Sequence, residues 1–186
     1  MSRMNALTRQ DGFRRLTVAQ GETRVSRDPD VVLTTVLGSC VAACFYDPVA
    51  KIGGINHYLL AEGQATDAAS MQRYGVYAME VLINEMLSMG AVRHRMKARI
   101  FGGATMHRGF KDIGGANIAF ARRFLADERI PLVGEDVGGT GARRVEFRAA
   151  LGLARCRVVN DAPPPAVIRP VPVAPPPAAL GDVEFF

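Results

Sequence analysis

Cys40 and His57 are the residues whose types and spacing suit covalent chemistry. Each closes a short signature, Leu37-Gly38-Ser39-Cys40 and Gly54-Ile55-Asn56-His57. A thiol attacks as its thiolate, so a nucleophilic cysteine needs partial exposure and a base within hydrogen-bond reach. Imidazole is the side chain that serves as a neutral base near pH 7. Asp47-Pro48 is a turn signal between the two signatures. A four-residue turn over Asp47–Ala50 places Cys40 directly opposite His57, with Cβ atoms about 4.5–5.5 Å apart. A slip of one residue in that register would put them on opposite faces. Gly38-Ser39 permits an irregular backbone just before Cys40, whose amide N–H groups would form an oxyanion hole. Thr34, Thr35 and Asn56 are the nearby groups able to orient the imidazole. The competing reading is structural, because cysteine is among the most buried residue types and Cys44 and Cys156 read as core.

The elements around this pair alternate in kind. Phe13 to Gln20 reads as a first strand, and Gly21 to Pro29 as a polar, turn-rich connection. Val31 to Val36 is β-branched and suits a buried strand; Gly38-Ser39 breaks it, Val41 to Tyr46 resumes, and Gly54 to Leu60 runs back. Met71 to Met89 is the clearest helix, with Tyr74, Ala78, Val81, Leu82, Met86 and Met89 on one face and Gly90 as its stop. Lys97 to Phe101 is a strand ending in Gly102-Gly103. A second helix spans roughly 116–127. Strands follow at about 132–137, 143–148 and 153–159, the first two separated by Gly138-Gly139-Thr140-Gly141. Strands outnumber helices and tight turns join them, which predicts a mixed, largely antiparallel α+β fold with two main helices.

The chain has 186 residues, 48% of them apolar, enough for one domain with its own core. Residues 1–12 read as a flexible start, 13–160 as the domain and 161–186 as a tail. Most of the 11 prolines lie between Pro163 and Pro177, which predicts an extended, disordered tether. Its end, Gly181-Asp182-Val183-Glu184-Phe185-Phe186, is either a docking peptide or a tail without a role. Net charge is +5, but acidic residues interleave the basic ones and no Lys/Arg run points to nucleic acid. Arg93, Arg95, Lys97 and Arg99 alternate, so they read as a solvated edge strand or as a docking stripe for an acidic partner. Three cysteines without a CxxC pair, and His57, His94 and His107 without metal-ligand spacing, suggest reduced thiols and no zinc site. The start has no apolar stretch of a secretory signal, and no run reaches the roughly 18 apolar residues of a spanning helix. Gly102-Gly103 and Gly138–Gly141 are either phosphate cradles or tight turns shaping a substrate groove. Neither has the Gly-Lys-Ser/Thr of a P-loop.

Taken in order, these segments resemble the CheD family of bacterial chemoreceptor glutamine deamidases. The likeness runs through Thr34-Thr35-Val36-Leu37-Gly38-Ser39-Cys40-Val41, Asp47-Pro48 and Gly53-Gly54-Ile55-Asn56-His57-Tyr58-Leu59-Leu60. It continues through Phe101-Gly102-Gly103-Ala104, Ile113-Gly114 with Asn117, and Glu135-Asp136-Val137-Gly138-Gly139 with Arg143. It covers about residues 12–159, departing where Ala61 stands in place of the family's usual proline. The resemblance implies a β-sandwich-like fold with Cys40 as nucleophile, His57 as general base and Thr34 as the residue orienting it. It implies Gly38, Ser39, Gly102, Gly103, Asn117, Gly138, Gly139 and Arg143 as substrate-binding or oxyanion groups. It also implies deamidation of receptor glutamines without metal or organic cofactor, in the cytoplasm at chemoreceptor clusters, with a CheC-type phosphatase as a further partner. Two alternatives stand beside it: a non-catalytic or dual-role module regulating such a phosphatase, and a different cysteine amidohydrolase or transglutaminase-like enzyme.

Overall fold

The computed structural model describes residues 7–8, 12–60, 68–105 and 112–159. The proposed tail, 161–186, and His107 lie outside them, as does most of the proposed flexible start. The strands are β1 (Leu7–Thr8), β2 (Arg14–Thr17), β3 (Thr23–Ser26), β4 (Val31–Leu37), β5 (Val41–Asp47), β6 (Ile52–Asn56), β7 (Lys97–Gly102), β8 (Leu132–Val137), β9 (Ala142–Arg148) and β10 (Leu153–Val159). Two helices, α1 (Ala68–Ser88) and α2 (Ile113–Asp127), interrupt the series.

The strands form two five-stranded sheets, β1-β2-β4-β9-β10 and β3-β6-β5-β7-β8. The β2–β4 and β7–β8 pairs are parallel and the others antiparallel. Alternation along each strand decides what each face meets. Val31, Leu33 and Leu37 of β4 and Val145 and Phe147 of β9 pack against Ala42, Cys44, Ile55 and Phe101 of the second sheet. The opposite face of that sheet, through Val41, Ala43, Phe45, Ala98 and Ile100, meets Met79, Leu82, Ile83 and Met86 of α1 and Ile118, Ala121 and Leu125 of α2. The result is an α+β fold of three layers: sheet, sheet, helices.

β6 is buried at every position because it runs between β3 and β5 with layers on both sides. Its Gly53-Gly54 pair is a space requirement. A Cβ at Gly53 would lie 2.3 Å from the Ala149 carbonyl oxygen, and one at Gly54 would lie 2.6 Å from Leu82 Cδ1. Of the helix positions whose spacing marks one face, Leu82 and Met86 are fully buried and Tyr74, Ala78 and Met89 pack against the core.

Four expectations need correction. The segment read as turn-rich contains β3, an edge strand whose Thr-Arg-Val-Ser sequence shows little of its pairing with β6. The second helix begins at Ile113 because the Asp112 side chain accepts a hydrogen bond from Gly115 N at 2.8 Å and caps a start that Gly114-Gly115 would weaken. The β5–β6 register is two residues from the expected one. Cys44 pairs with Ile55 and Asp47 with Ile52, and Lys51 takes a left-handed conformation (φ 53°) as the loop's last residue. Finally, the alternating basic residues do not form an edge strand. Arg93–Arg95 is a 3₁₀ turn, and β7 is flanked by β5 and β8. Arg93 pairs with Glu80 and Glu128, and Arg95 with Asp47 at 2.8 Å.

Asp47 pins this corner. It is fully buried and accepts from the amides of Val49, Ala50 and Val92 and from the Arg95 guanidinium. Burial alone would raise its pKa, but the bonds from Arg95 and the three amides outweigh it and hold the carboxyl well below the usual range. Asp47→Ala strands those donors, so we expect it to cost about 3–5 kcal/mol. The check is the urea midpoint; a shift under about 1 kcal/mol would mean that water replaces the carboxylate.

Candidate active site

Gly38-Ser39-Cys40 carries the chain from one sheet to the other, and its three carbonyls are all engaged. Gly38 O accepts from Ala104 N at 2.8 Å and Cys40 O from Gly103 N at 2.7 Å. Ser39 O accepts from Asn117 Nδ2 at 2.8 Å. In a planar trans peptide the next N–H points opposite to its carbonyl. The Ser39 and Cys40 amides are therefore directed away from the β7–α2 side that takes the carbonyls, the arrangement an oxyanion hole requires.

The sequence candidates around this turn divide into those near the sulfur and those that hold it. Gly102 (φ 101°) must be glycine, since a Cβ there would lie 2.3 Å from Cys40 O. Gly138 N donates to Gly102 O at 2.9 Å and Thr105 N to Gly139 O at 2.8 Å, so the two glycine turns are tied together. The Gly103 and Gly138 amides are thus spent on protein carbonyls, and the turns buttress the cysteine loop. Asn117 also holds this loop. It is fully buried, and its Oδ1 accepts from Leu60 N at 2.9 Å. Arg143 faces inward opposite Leu37, where it donates to Asp136 at 2.8 Å and to Gly141 O at 3.2 Å.

His57 keeps its face despite the altered register. The Val41–Tyr58 bridge continues the β5–β6 pairing, which makes Cys40 and His57 diagonal neighbours on one side of the sheet instead of direct partners. A two-residue shift preserves the face where a one-residue slip would not. The imidazole is buried and directed between the sheets, with Nδ1 2.9 Å from Thr35 Oγ1. Thr35 Oγ1 donates its single proton to Val18 O at 2.8 Å. The hydroxyl therefore accepts from His57, which assigns the proton to Nδ1 and leaves a lone pair on Nε2. Nε2 is buried with no hydrogen-bond partner among the described residues. Burial lowers the His57 pKa from its ordinary 6.5, more than the Val18 carbonyl raises it, which favours the neutral ring.

The threonine hydrogen-bonded to the His57 ring is Thr35. Odd-numbered β4 residues face the second sheet, while Thr34 projects from the outer face, between Thr17 and Glu146. Asn56 also points away from the imidazole. It binds Ala43 N and Ala78 O on the helix side.

The three cysteines differ in environment. Cys40 is 9% exposed and Cys44 is fully buried. Burial drives the Cys44 thiol far above its ordinary value. Cys156 is pushed up to about 12 by burial and by its bond to Asp136. The expectation that both are structural agrees with this. The residues that sequence reasoning missed are Val18 to Glu22. Their side-chain types carry no signal; what brings them to the site is the parallel β2–β4 pairing, continued by Val18 N to Thr34 O at 2.8 Å. A pocket of about 310 Å³ lies between β3 and α1, lined by Glu22, Arg24, Tyr74, Tyr77 and Glu85 and reaching His57. Cys40 is not in its wall.

A thiol on the same face of the sheet as an anchored imidazole, with amides turned outward at the thiol's own loop, is a side-chain set compatible with acyl transfer through a thioester. Comparison with known proteins narrows that class. The family model described as "CheD chemotactic sensory transduction" matches residues 59–158, a span that begins just after His57. The "Probable chemoreceptor glutamine deamidase CheD" of Zymomonas mobilis subsp. mobilis is 60% identical over 178 residues, 95% of this chain and 94% of that one. Proteins of the same description from Caulobacter sp. (strain K31) and Acidiphilium cryptum are 53% and 48% identical, covering 91% and 95% of both chains. Among solved structures, the hypothetical protein YfiH of Bacillus licheniformis matches with a TM-score of 0.41 at 16% identity, over 63% of this chain and 49% of that one. The chain belongs to the CheD family.

Proposed function

We propose that Cys40 and His57 perform the hydrolysis by which this chain, a chemoreceptor glutamine deamidase of chemotaxis adaptation, converts receptor glutamine to glutamate. His57 Nε2 takes the Cys40 proton, and the sulfur attacks the side-chain carboxamide carbon. The oxyanion forms opposite the Ser39 and Cys40 amides. Its collapse expels ammonia, which takes the proton from His57, and leaves a thioester. Water, deprotonated by His57, then adds to the thioester; release of the thiol gives glutamate. The observation that carries this reading is the Val18–Thr35–His57 chain of hydrogen bonds, because it leaves the basic nitrogen on the side not used for anchoring.

The test is ammonia release from a purified receptor cytoplasmic fragment, with mass spectrometry locating each Gln-to-Glu change. Conversion at defined glutamines supports the reading. Binding without conversion would leave a regulatory module. No helix among the described residues is long and apolar enough to cross a membrane. We place the enzyme in the cytoplasm, where receptor signalling domains would lie. A CheC-type phosphatase, implied by the family resemblance, would compete for the same groove and slow conversion in the same assay.

His57 also sets a pH dependence. The acid limb of kcat/KM should lie below 6.5, because the buried ring resists protonation. Stability should follow the same sign. Between the lowered folded value and 6.5 the unfolded chain binds a proton that the folded chain does not, so stability rises with pH across that window. A kcat/KM profile whose acid midpoint lies above 6.5 would contradict this.

A further inference from the structure

One segment, 18–22, touches each reacting group. Val18 O accepts from Thr35, Gly21 N donates to His57 O at 2.7 Å, and His57 N donates to Glu22 O at 3.1 Å. Between these contacts, the Gln20 side chain reaches the nucleophile, and Cys40 Sγ donates to Gln20 Oε1 at 2.9 Å. A thiol has one proton to give. That proton goes to a carboxamide oxygen while the base, His57 Nε2, is buried without a partner. The two observations explain each other. The group on the sulfur is also the functional group of the substrate, a glutamine carboxamide.

We propose that Gln20 is an internal occupant of the carboxamide seat, holding Cys40 in its thiol form until a receptor glutamine displaces it. The proposal rests on the roles given above to Cys40 and His57. The resting contact is a hydrogen bond to oxygen with the thiol still protonated, so it blocks the site without entering the reaction. Displacement frees the proton to turn to Nε2, which ties formation of the nucleophile to arrival of substrate. Gln20 thus acts as a positioning residue, through the state of the sulfur.

The test is the rate at which iodoacetamide alkylates Cys40 at pH 7, read by peptide mass spectrometry in the full chain. Gln20→Ala removes the acceptor and should speed alkylation about three- to tenfold, the factor for one net hydrogen bond. Gln20→Glu places a carboxylate against the sulfur, disfavours the thiolate and should slow it. A general loosening of the loop would speed both, so opposite signs separate the proposed role from a structural one. Ultraviolet thiolate absorbance should move with the rates. Equal rates in all three proteins, or the same sign in both variants, would overturn the proposal. The expected pattern without any receptor conversion would retain Gln20 as the thiol's partner and sink the deamidase mechanism. Conversion with unmoved alkylation rates would do the reverse.

Discussion

Cys40→Ala should abolish conversion of receptor glutamine, with a loss of about 10⁴-fold or more, as for removal of any nucleophile that acts through a covalent intermediate. The chain has no thiol to take over. Cys44 is fully buried and its thiol is held far from ionisation. The Cys156 thiol is pushed up to about 12 and bound to Asp136. Loss of the small, nearly buried side chain should change stability by only about 1 kcal/mol, so an inactive variant remains folded. The same protein should still bind the receptor fragment, because the loop is held by Asn117, Gly103 and Ala104 through backbone carbonyls that the substitution leaves intact. Residual conversion above about 1% of the native rate would place the nucleophile elsewhere.

Local chemistry carried much of the fold and part of the site. The β-branched run at 31–36, the Asp47-Pro48 turn and the three closing strands depend on neighbours in sequence, and the observed elements lie within a residue or so of expectation. What failed depends on partners distant in sequence. The hairpin register was set by Lys51, a non-glycine residue with positive φ, and no turn rule predicts one there. The alternating arginines followed a strand pattern, but Arg93 and Arg95 are claimed by Glu80, Glu128 and a buried aspartate, which redirects them from solvent into ion pairs. Cys40 and His57 share a face as expected because that face survives a two-residue shift. Gln20 was missed because only the parallel β2–β4 pairing, contacts across 20 residues of sequence, brings it to the sulfur.

The same pairing decides between two adjacent threonines, and their substitution gives the sharpest test of the site. Thr35→Val keeps the β-branched shape and removes the oxygen that accepts from His57 Nδ1. The Val18 carbonyl, now without the Thr35 proton, lies 3.5 Å from Nδ1 and holds the ring only weakly. A ring free to change tautomer presents Nε2–H to the thiol part of the time and loses its function as a base. The loss should therefore reach into the 10²–10⁴-fold range of a positioned general base, mainly in kcat, with KM nearly unchanged. Thr34→Val changes the outer face of the first sheet, between Thr17 and Glu146, and should leave kcat within about twofold. Thr35→Ser restores the hydroxyl and should recover most of the rate, which a purely steric role for the residue would not allow. Inactivation by Thr34→Val with Thr35→Val active would reverse the assignment and require β4 to present its other face to His57.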